Sequence, residues 1–354
     1  LYDAWNFREP SNGVTNLRGF DDRHASFTLQ NAVVEATWTK GVVSGRIALQ
    51  VGDEPGAFYA FEPSQAPSGT APATGPTEWR HIQEAWVAWK LPCYRLELSG
   101  GIFLSPIGAE TPIVRDAWNW SRSNLFYFLP YYHAGVRAKH DIGDSGWSVT
   151  AALYNGWNNA IDDNDSPSID VIARYEKGDW SGQVQYFGGI ERSPDAPEGQ
   201  PWRHLFDAYV QGPIVDKLSF IVQADAGFEL DTISVPGPAV VDATASWSSF
   251  AGYLRYDLRK NLFVAARGDF FHANRPDAAT PIFLPSGVSW VTSATATAAW
   301  RPADGLELRA EYRHDQASEN AYFGGTVLTD PVTGNAITNR TVQDTITGGV
   351  IAWF

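Results

Sequence analysis

The amino-acid sequence predicts an all-β protein: a transmembrane antiparallel up-and-down β-barrel of about 16 strands. Three observations support this prediction. Apolar and polar residues alternate with a period of two, short turns alternate with long loops, and aromatic residues recur on the apolar face beside the short turns. Alternation of this kind is typical of strands with one apolar and one polar face. No linker or low-complexity stretch divides the chain, so we expect a single barrel domain over residues 1–354.

Composition excludes several other classes of protein. The formal net charge of −14 argues against a nucleic-acid partner, because phosphate binding needs a basic face. A single cysteine excludes an internal disulfide scaffold. The longest uncharged stretch, 278–300, contains two prolines and seven Ser or Thr residues, which argues against a spanning helix. The first residue is not Met, as expected after cleavage of a signal peptide or trimming of the chain.

The connections between strands come in two lengths. The seven short turns lie at residues 39–41, 91–94, 141–146, 176–179, 212–216, 259–261 and 302–305. The eight long loops run over about residues 9–24, 53–79, 105–131, 156–167, 191–202, 229–246, 273–288 and 315–341. Fifteen connections join 16 strands if residues 1–8 form the first strand. An even strand number, with short periplasmic turns at one end and long extracellular loops at the other, is typical of an outer-membrane barrel.

The aromatic residues provide a second, independent test. In an outer-membrane barrel, outward aromatic side chains lie at the level of the lipid headgroups and form a girdle. Five aromatic residues are on an apolar face within a few residues of a short turn, and the last strand ends in a sixth. The predicted girdle consists of Trp38, Trp89, Tyr175, Tyr256, Trp300 and Phe354.

The polar faces of the predicted strands carry many charged residues. A dry interior could not hold them without a severe desolvation cost, whereas a barrel of 16 strands is wide enough for an aqueous channel. The basic residues predicted to line the wall of this channel are Arg46, Arg137, Lys139, Arg174, Arg255, Arg267, Arg309 and Arg313.

The third long loop, residues 105–131, is rich in Trp, Phe and Tyr. A loop in water rarely needs so many aromatic side chains, whereas a loop folded against the inner barrel wall does. We therefore expect this loop to fold inward and narrow the lumen, with four of its charged residues at the constriction. An outer cap or a subunit contact is the alternative. The four residues are Glu110, Arg115, Asp116 and Arg122.

An ordered series of short motifs resembles a known family. The motifs are NLRGFDDRHASFTLQNAVVEAT, IQEAWVAWKL, GIFLSPIGAET, WNWSRSNLF, PYYHAGVRA and LYNGWNN. Over about residues 1–190 they are similar to β-barrel porin family 2, the OmpL-like porins. The resemblance implies a porin in the outer membrane of a Gram-negative bacterium. In better-studied 16-stranded porins the third loop constricts the pore and three barrels often associate, and both features are carried over only as analogy.

The functional hypothesis is an outer-membrane porin whose water-filled channel passes small hydrophilic solutes or ions by passive diffusion. The alternative is a plugged barrel that serves as a structural, adhesion or scaffold protein of the outer membrane. The sequence has no G-x-S-x-G or HExxH motif, so we expect no enzymatic activity, metal or cofactor. The expected partners are outer-membrane lipid, lipopolysaccharide, small hydrophilic solutes and, by analogy, two further copies of the chain.

Overall fold

The computed structural model describes all residues except 61, 63–76, 78, 193, 195–198, 231–243, 275–282 and 286. Sixteen strands of the described chain form one antiparallel sheet, in which each strand from β2 to β16 pairs with its neighbours in sequence and β1 pairs with β16. The predicted architecture and strand number are confirmed. The seven short turns and eight long loops also occur in the predicted order.

The strands are β1 (Tyr2–Asn6), β2 (Ala32–Lys40), β3 (Val43–Val51), β4 (Ile82–Leu91), β5 (Leu96–Leu104), β6 (Tyr132–Asp141), β7 (Trp147–Tyr154), β8 (Ser168–Lys177), β9 (Trp180–Ile190), β10 (Trp202–Val215), β11 (Leu218–Glu229), β12 (Ala245–Arg259), β13 (Leu262–Asn274), β14 (Trp290–Ala303), β15 (Leu306–Ala317) and β16 (Val342–Ala352). One-turn helices in the described loops include α1 (Glu54–Phe58) and α2 (Asn124–Phe128), and 3-10 turns occur at Pro92–Tyr94 and Val114–Asp116. Among the described residues, no helix is long and apolar enough to cross a membrane.

The two edges of the sheet approach each other through the first loop. The backbone of Tyr2 exchanges hydrogen bonds of 2.9 and 2.8 Å with Thr28, and Ala25 N donates to Ala4 O. The segment that contains Thr28 leads directly into β2, so β1 borders the chain just before that strand. In the described residues β1 and β2 themselves form no ladder. The strand β2 begins at Ala32, so the apolar residues Phe27 and Leu29 lie in the first loop and not on this strand.

The inner and outer faces of the sheet differ sharply in polarity. On β14 the side chains of Ala294, Ala296, Ala298 and Trp300 are exposed on the outer face, and the alternating polar residues Ser293, Thr295 and Thr297 are buried inside. The same alternation holds on β15, where Glu307, Arg309, Glu311 and Arg313 point inward. This arrangement suits lipid outside and a polar interior.

The residues predicted to form a girdle lie near the periplasmic turns. Trp38, Trp89, Tyr256 and Trp300 are 43–50% exposed on the outer face, Tyr175 is half-buried beside Trp147, and Phe354 follows the last strand. The pairs Arg259–Leu262 and Leu262–Trp300 place three of the outward side chains of β12, β13 and β14 in one row across the sheet.

A charge on the outer face should destabilise the barrel. Val184 is exposed near the middle of β9. Replacing it with Arg should lower the free energy of unfolding in phospholipid vesicles by about 2–4 kcal/mol, because the guanidinium would lie in hydrocarbon. Guanidinium titration, followed by the heat-modifiable shift on a gel, measures this change. The free energy of unfolding of the matched control Val184→Leu should stay within about 0.5 kcal/mol of the parent value. If the Arg and Leu variants had equal free energies of unfolding, the outer face at Val184 would be in contact with water and not with lipid.

Candidate functional site in the barrel lumen

The loop of residues 105–131 enters the barrel and crosses from β5 towards β11. At its start, Gln183 Nε2 of β9 donates a 2.8 Å hydrogen bond to Pro106 O. Gly108 N then donates to Asp207 of β10, and Ala109 N donates to Gln223 of β11 at 2.9 Å. These are wall side chains bonded to loop backbone, so the loop lies against the inner face.

The middle of the loop is attached to β14, β15 and β16. The carboxylate of Glu311 accepts backbone hydrogen bonds from Trp120 at 2.5 Å and Ser121 at 2.9 Å. The Trp120 ring packs on Gly349 so closely that a Cβ at residue 349 would lie 2.1 Å from it. A glycine in β16 is therefore required for this contact.

Three arginines of the inner wall bind the loop through the same arrangement of contacts. Each guanidinium is almost fully buried, forms an ion pair with a carboxylate two residues away on its own strand, and donates to a backbone carbonyl of the loop. The spacing works because residues i and i+2 of a strand share a face. The pairs, with the loop carbonyl in each case, are Arg267–Asp269 with Ser121, Arg309–Glu307 with Asn119, and Arg313–Asp315 with Arg122.

Two of the predicted constriction residues organise the loop itself. Arg122 is buried and donates to the carbonyls of Thr111, Pro112 and Trp120. Glu110 accepts from Ser123 N at 2.9 Å and pairs with Arg267 at 3.3 Å. Arg122 is thus engaged entirely by loop carbonyls, whereas Glu110, although bonded to Ser123 and Arg267, also lines the cavity on the periplasmic side of the loop.

The other two predicted constriction residues face open space. The side chains of Arg115 and Asp116 are 41% and 48% exposed and form a 3.2 Å ion pair with each other. Below the loop, towards the periplasmic turns, lies a cavity of about 780 Å³ lined by Asp116, Trp118, Asp179 and Asp257 among others. Asp116 therefore borders this cavity, as does Glu110, whereas Arg115 lies on the side of the loop that faces Glu35 and Gln83.

The remaining predicted wall residues lie on the inner face between β3 and β12. Arg137 donates to Tyr154 Oη at 2.6 Å and covers the Phe103 ring, with the guanidinium carbon 3.9 Å from the ring centroid. The other four cations stay partly exposed, and each has a carboxylate partner within 3.5 Å. These ion pairs are Arg46–Glu35, Arg46–Glu84, Lys139–Asp141, Arg174–Glu176 and Arg255–Asp257.

The extracellular half of the interior contains aromatic clusters that sequence reasoning missed. One cluster combines the first three loops and the start of β6: Phe20, Phe58, Tyr59, Phe126, Tyr131 and Tyr132. The run FYAFE at residues 58–62 was a signal for it, because so many aromatic residues in a loop need a packing surface. This cluster brings three loops together above the constriction.

Buried carboxylates tie these loops to the wall and to each other. Glu62 accepts from Ala160 N at 2.8 Å and from the Tyr132 hydroxyl, which joins the second and fourth loops. Glu54 in α1 accepts from the amides of Gln30 and Asn31 at 2.9 and 3.1 Å. Burial raises the pKa of Glu54 to about 7. In the described part of the chain, no group of three or more His, Cys, Asp or Glu side chains could hold a metal ion.

The geometry described so far is a 16-stranded barrel with an inward third loop and a charged lumen. The family model described as "Putative beta-barrel porin-2, OmpL-like" matches residues 1–354. The chain belongs to this porin family. The match extends over the whole chain, beyond the 190 residues in which motifs were recognised. The protein is therefore an outer-membrane porin, and its cellular location is the Gram-negative outer membrane.

Solved structures share the fold of this OmpL-like porin. The outer-membrane channel DcaP of Acinetobacter baumannii superposes with a TM-score of 0.61 at 10% identity, over 99% of this chain and 94% of that chain. The anion-selective porin from Comamonas acidovorans gives 0.59 at 9%, over 100% and 96%. OmpT of Vibrio cholerae gives 0.56 at 9%, over 100% and 95%. No curated protein sequence matches the chain. At these identities the likeness concerns the fold.

The loop anchor at Glu311 can be tested directly. In Glu311→Gln one acceptor oxygen becomes an amide donor that faces the N–H groups of Trp120 and Ser121. Loss of this charge-assisted contact, worth about 1.5–3 kcal/mol, should speed amide exchange at both residues by about 10- to 100-fold. Hydrogen exchange with mass spectrometry measures it. The control Glu97→Gln, on a wall residue paired with Lys90, should leave exchange unchanged. Parent-like exchange in Glu311→Gln would contradict the anchoring role.

The helix α1 should open from its packed position more easily at alkaline pH. The pKa of Glu54 is about 7, against an ordinary value of 4.5, so the packed state binds the proton more tightly than the opened state. The packed state gains stability below pH 7 and loses it as pH rises through 7. From pH 5.5 to 8, the local opening free energy at α1 should fall by about 2 kcal/mol. Hydrogen exchange at both pH values measures this difference.

Two variants make the pH test specific to Glu54. Glu54→Gln should remove the pH dependence, because the amide carries no proton that titrates. Asp53→Asn changes an adjacent carboxylate that pairs with Arg23, and it should keep the dependence. An opening free energy that is equal at pH 5.5 and 8 in the parent protein would refute the assignment.

Proposed function

We propose that small hydrophilic solutes and ions diffuse passively between the inward loop and the wall formed by β2 to β8. The position of the loop supports this route. From Gly108 to Asn124 its backbone and polar side chains bond to residues of β10, β11, β13, β14 and β15. The partly exposed cations Arg46, Lys139 and Arg174 lie on the opposite wall. Arg115, which lies towards Glu35 and Gln83, is the loop residue that narrows this route, and Asp116 lies at the periplasmic cavity beside Asp179 and Asp257.

We also propose that the channel has a weak charge preference. Opposite charges that lie within 3.5 Å cancel much of each other's field, so their contribution to ion steering is small. Arg46, Lys139, Arg174 and Arg255 each have such a carboxylate partner, and Arg115 has Asp116. A strongly selective pore needs an excess of one sign at its narrowest point.

A homotrimer is part of the same proposal. Strands β2 to β8 have 8–10 residues, whereas β10 to β15 have 12–15. The wall formed by the shorter strands spans less of the hydrocarbon thickness of the bilayer. Association with other barrels is one way to cover such a wall. Lipid and lipopolysaccharide would surround the higher wall.

Single-channel recording in a planar bilayer tests the proposal. A salt gradient should give discrete current steps and a cation-to-anion permeability ratio within about threefold of unity, because the partly exposed luminal cations are paired with carboxylates. If three barrels associate, each insertion event should produce three current steps of equal size. Arg174→Glu should shift the reversal potential towards cation preference, and Lys177→Glu, at the end of the same strand, should not. Folded, heat-modifiable protein without conductance would instead support the plugged, scaffold-type barrel, which the aromatic packing of the extracellular loops favours.

A further inference from the structure

The outer face of the barrel has a groove near its periplasmic end, with a volume of about 720 Å³. Small side chains form its floor: Ala266, Ala296, Ala298 and Ala310 from three adjacent strands. Large outward side chains line it as well: Leu254, Tyr256, Tyr312 and Ile346, each 43–50% exposed. The groove is thus an apolar depression in a surface that faces lipid.

A cationic turn lies at the periplasmic end of this groove. The last residue of β12 and the turn that follows read Arg259, Lys260, Asn261, and all three residues are exposed. Arg259 is the direct ladder partner of Leu262, which in turn pairs with Trp300. Directly paired residues of an antiparallel ladder project from the same face. Arg259 therefore shares the outer face with Trp300, at the level where an outer-membrane barrel meets the headgroups.

The charge of this turn is uncompensated. Within the described part of the chain, neither Arg259 nor Lys260 has a carboxylate within ion-pair distance. Most other cations near the periplasmic turns do have one, for example Arg95 with Asp144 and Lys139 with Asp141. Arginine and lysine that face an interface bind phosphate groups through charge-assisted hydrogen bonds.

We propose that this groove and the turn below it form a specific binding site for one anionic glycerophospholipid of the periplasmic leaflet. An acyl chain lies on the alanine floor, and the headgroup phosphate contacts Arg259 and Lys260. Basic residues at a membrane surface attract anionic lipid, and the groove adds apolar contact along a single chain. The site lies on the outer wall, so it is separate from the diffusion route.

Native mass spectrometry of the detergent-purified protein tests the site. Phosphatidylglycerol and the zwitterionic phosphatidylethanolamine are added in parallel, and bound lipid is counted. The parent protein should retain one phosphatidylglycerol. The double variant Arg259→Gln, Lys260→Gln should bind it about tenfold more weakly, because two charge-assisted contacts are lost. Ala296→Phe, which fills the groove with an apolar ring that lipid tolerates, should also weaken binding.

The control is Lys177→Gln. Lys177 pairs with Trp180 at the same rim but lies away from the groove, so its loss should not change phosphatidylglycerol binding. Channel conductance should be unchanged in all variants. Equal retention of the two lipids by the parent protein, or equal loss in Lys177→Gln and the double variant, would overturn the proposal. A change of oligomer size in Ala296→Phe without a change in bound lipid would assign the groove to a second copy of the chain.

Discussion

Hydrocarbon offers no partner for a backbone N–H or C=O, and this constraint determines the rest of the structure. Every strand that crosses lipid must pair on both sides, so the chain must curl into a barrel. The ladder from β2 to β16 satisfies this need, and the pairing of β1 with β16 extends it. The exchange between Tyr2 and Thr28 brings the two edges together through the first loop. Sixteen strands then enclose more space than wall side chains can fill, and that space is where the function resides.

The third loop occupies part of this space by using charges that could not be buried alone. A buried arginine is tolerated only when an anion and further acceptors satisfy its donors. On β15, Arg309 and Arg313 have an acid two residues away and a loop carbonyl in front of them. The result is a rigid attachment on one side of the lumen. Water-exposed ion pairs remain on the other side, as at Arg174 and Glu176.

The inner and outer faces have separate roles. On the inner face the partly exposed cations are paired with carboxylates, and the weak charge preference proposed above rests on this pairing. The outer face is apolar, yet it is uneven: alanines on β13, β14 and β15 form a groove, and Arg259 stands below it on the same face. The inner face thus belongs to the channel, and the outer groove is the lipid site proposed above.

The sequence by itself determined the strand number, the turns, the two faces and the inward position of the charges, because all of these follow from a period of two and from turn chemistry. It also indicated the aromatic loop at residues 105–131. Only the tertiary structure decided which charges meet. Arg267 and Arg174 both occupy inward positions of their strands, yet Arg267 is buried against Glu110 and Ser121, and Arg174 stays exposed. The difference depends on where a loop more than a hundred residues away along the chain comes to rest, and no local pattern contains that information.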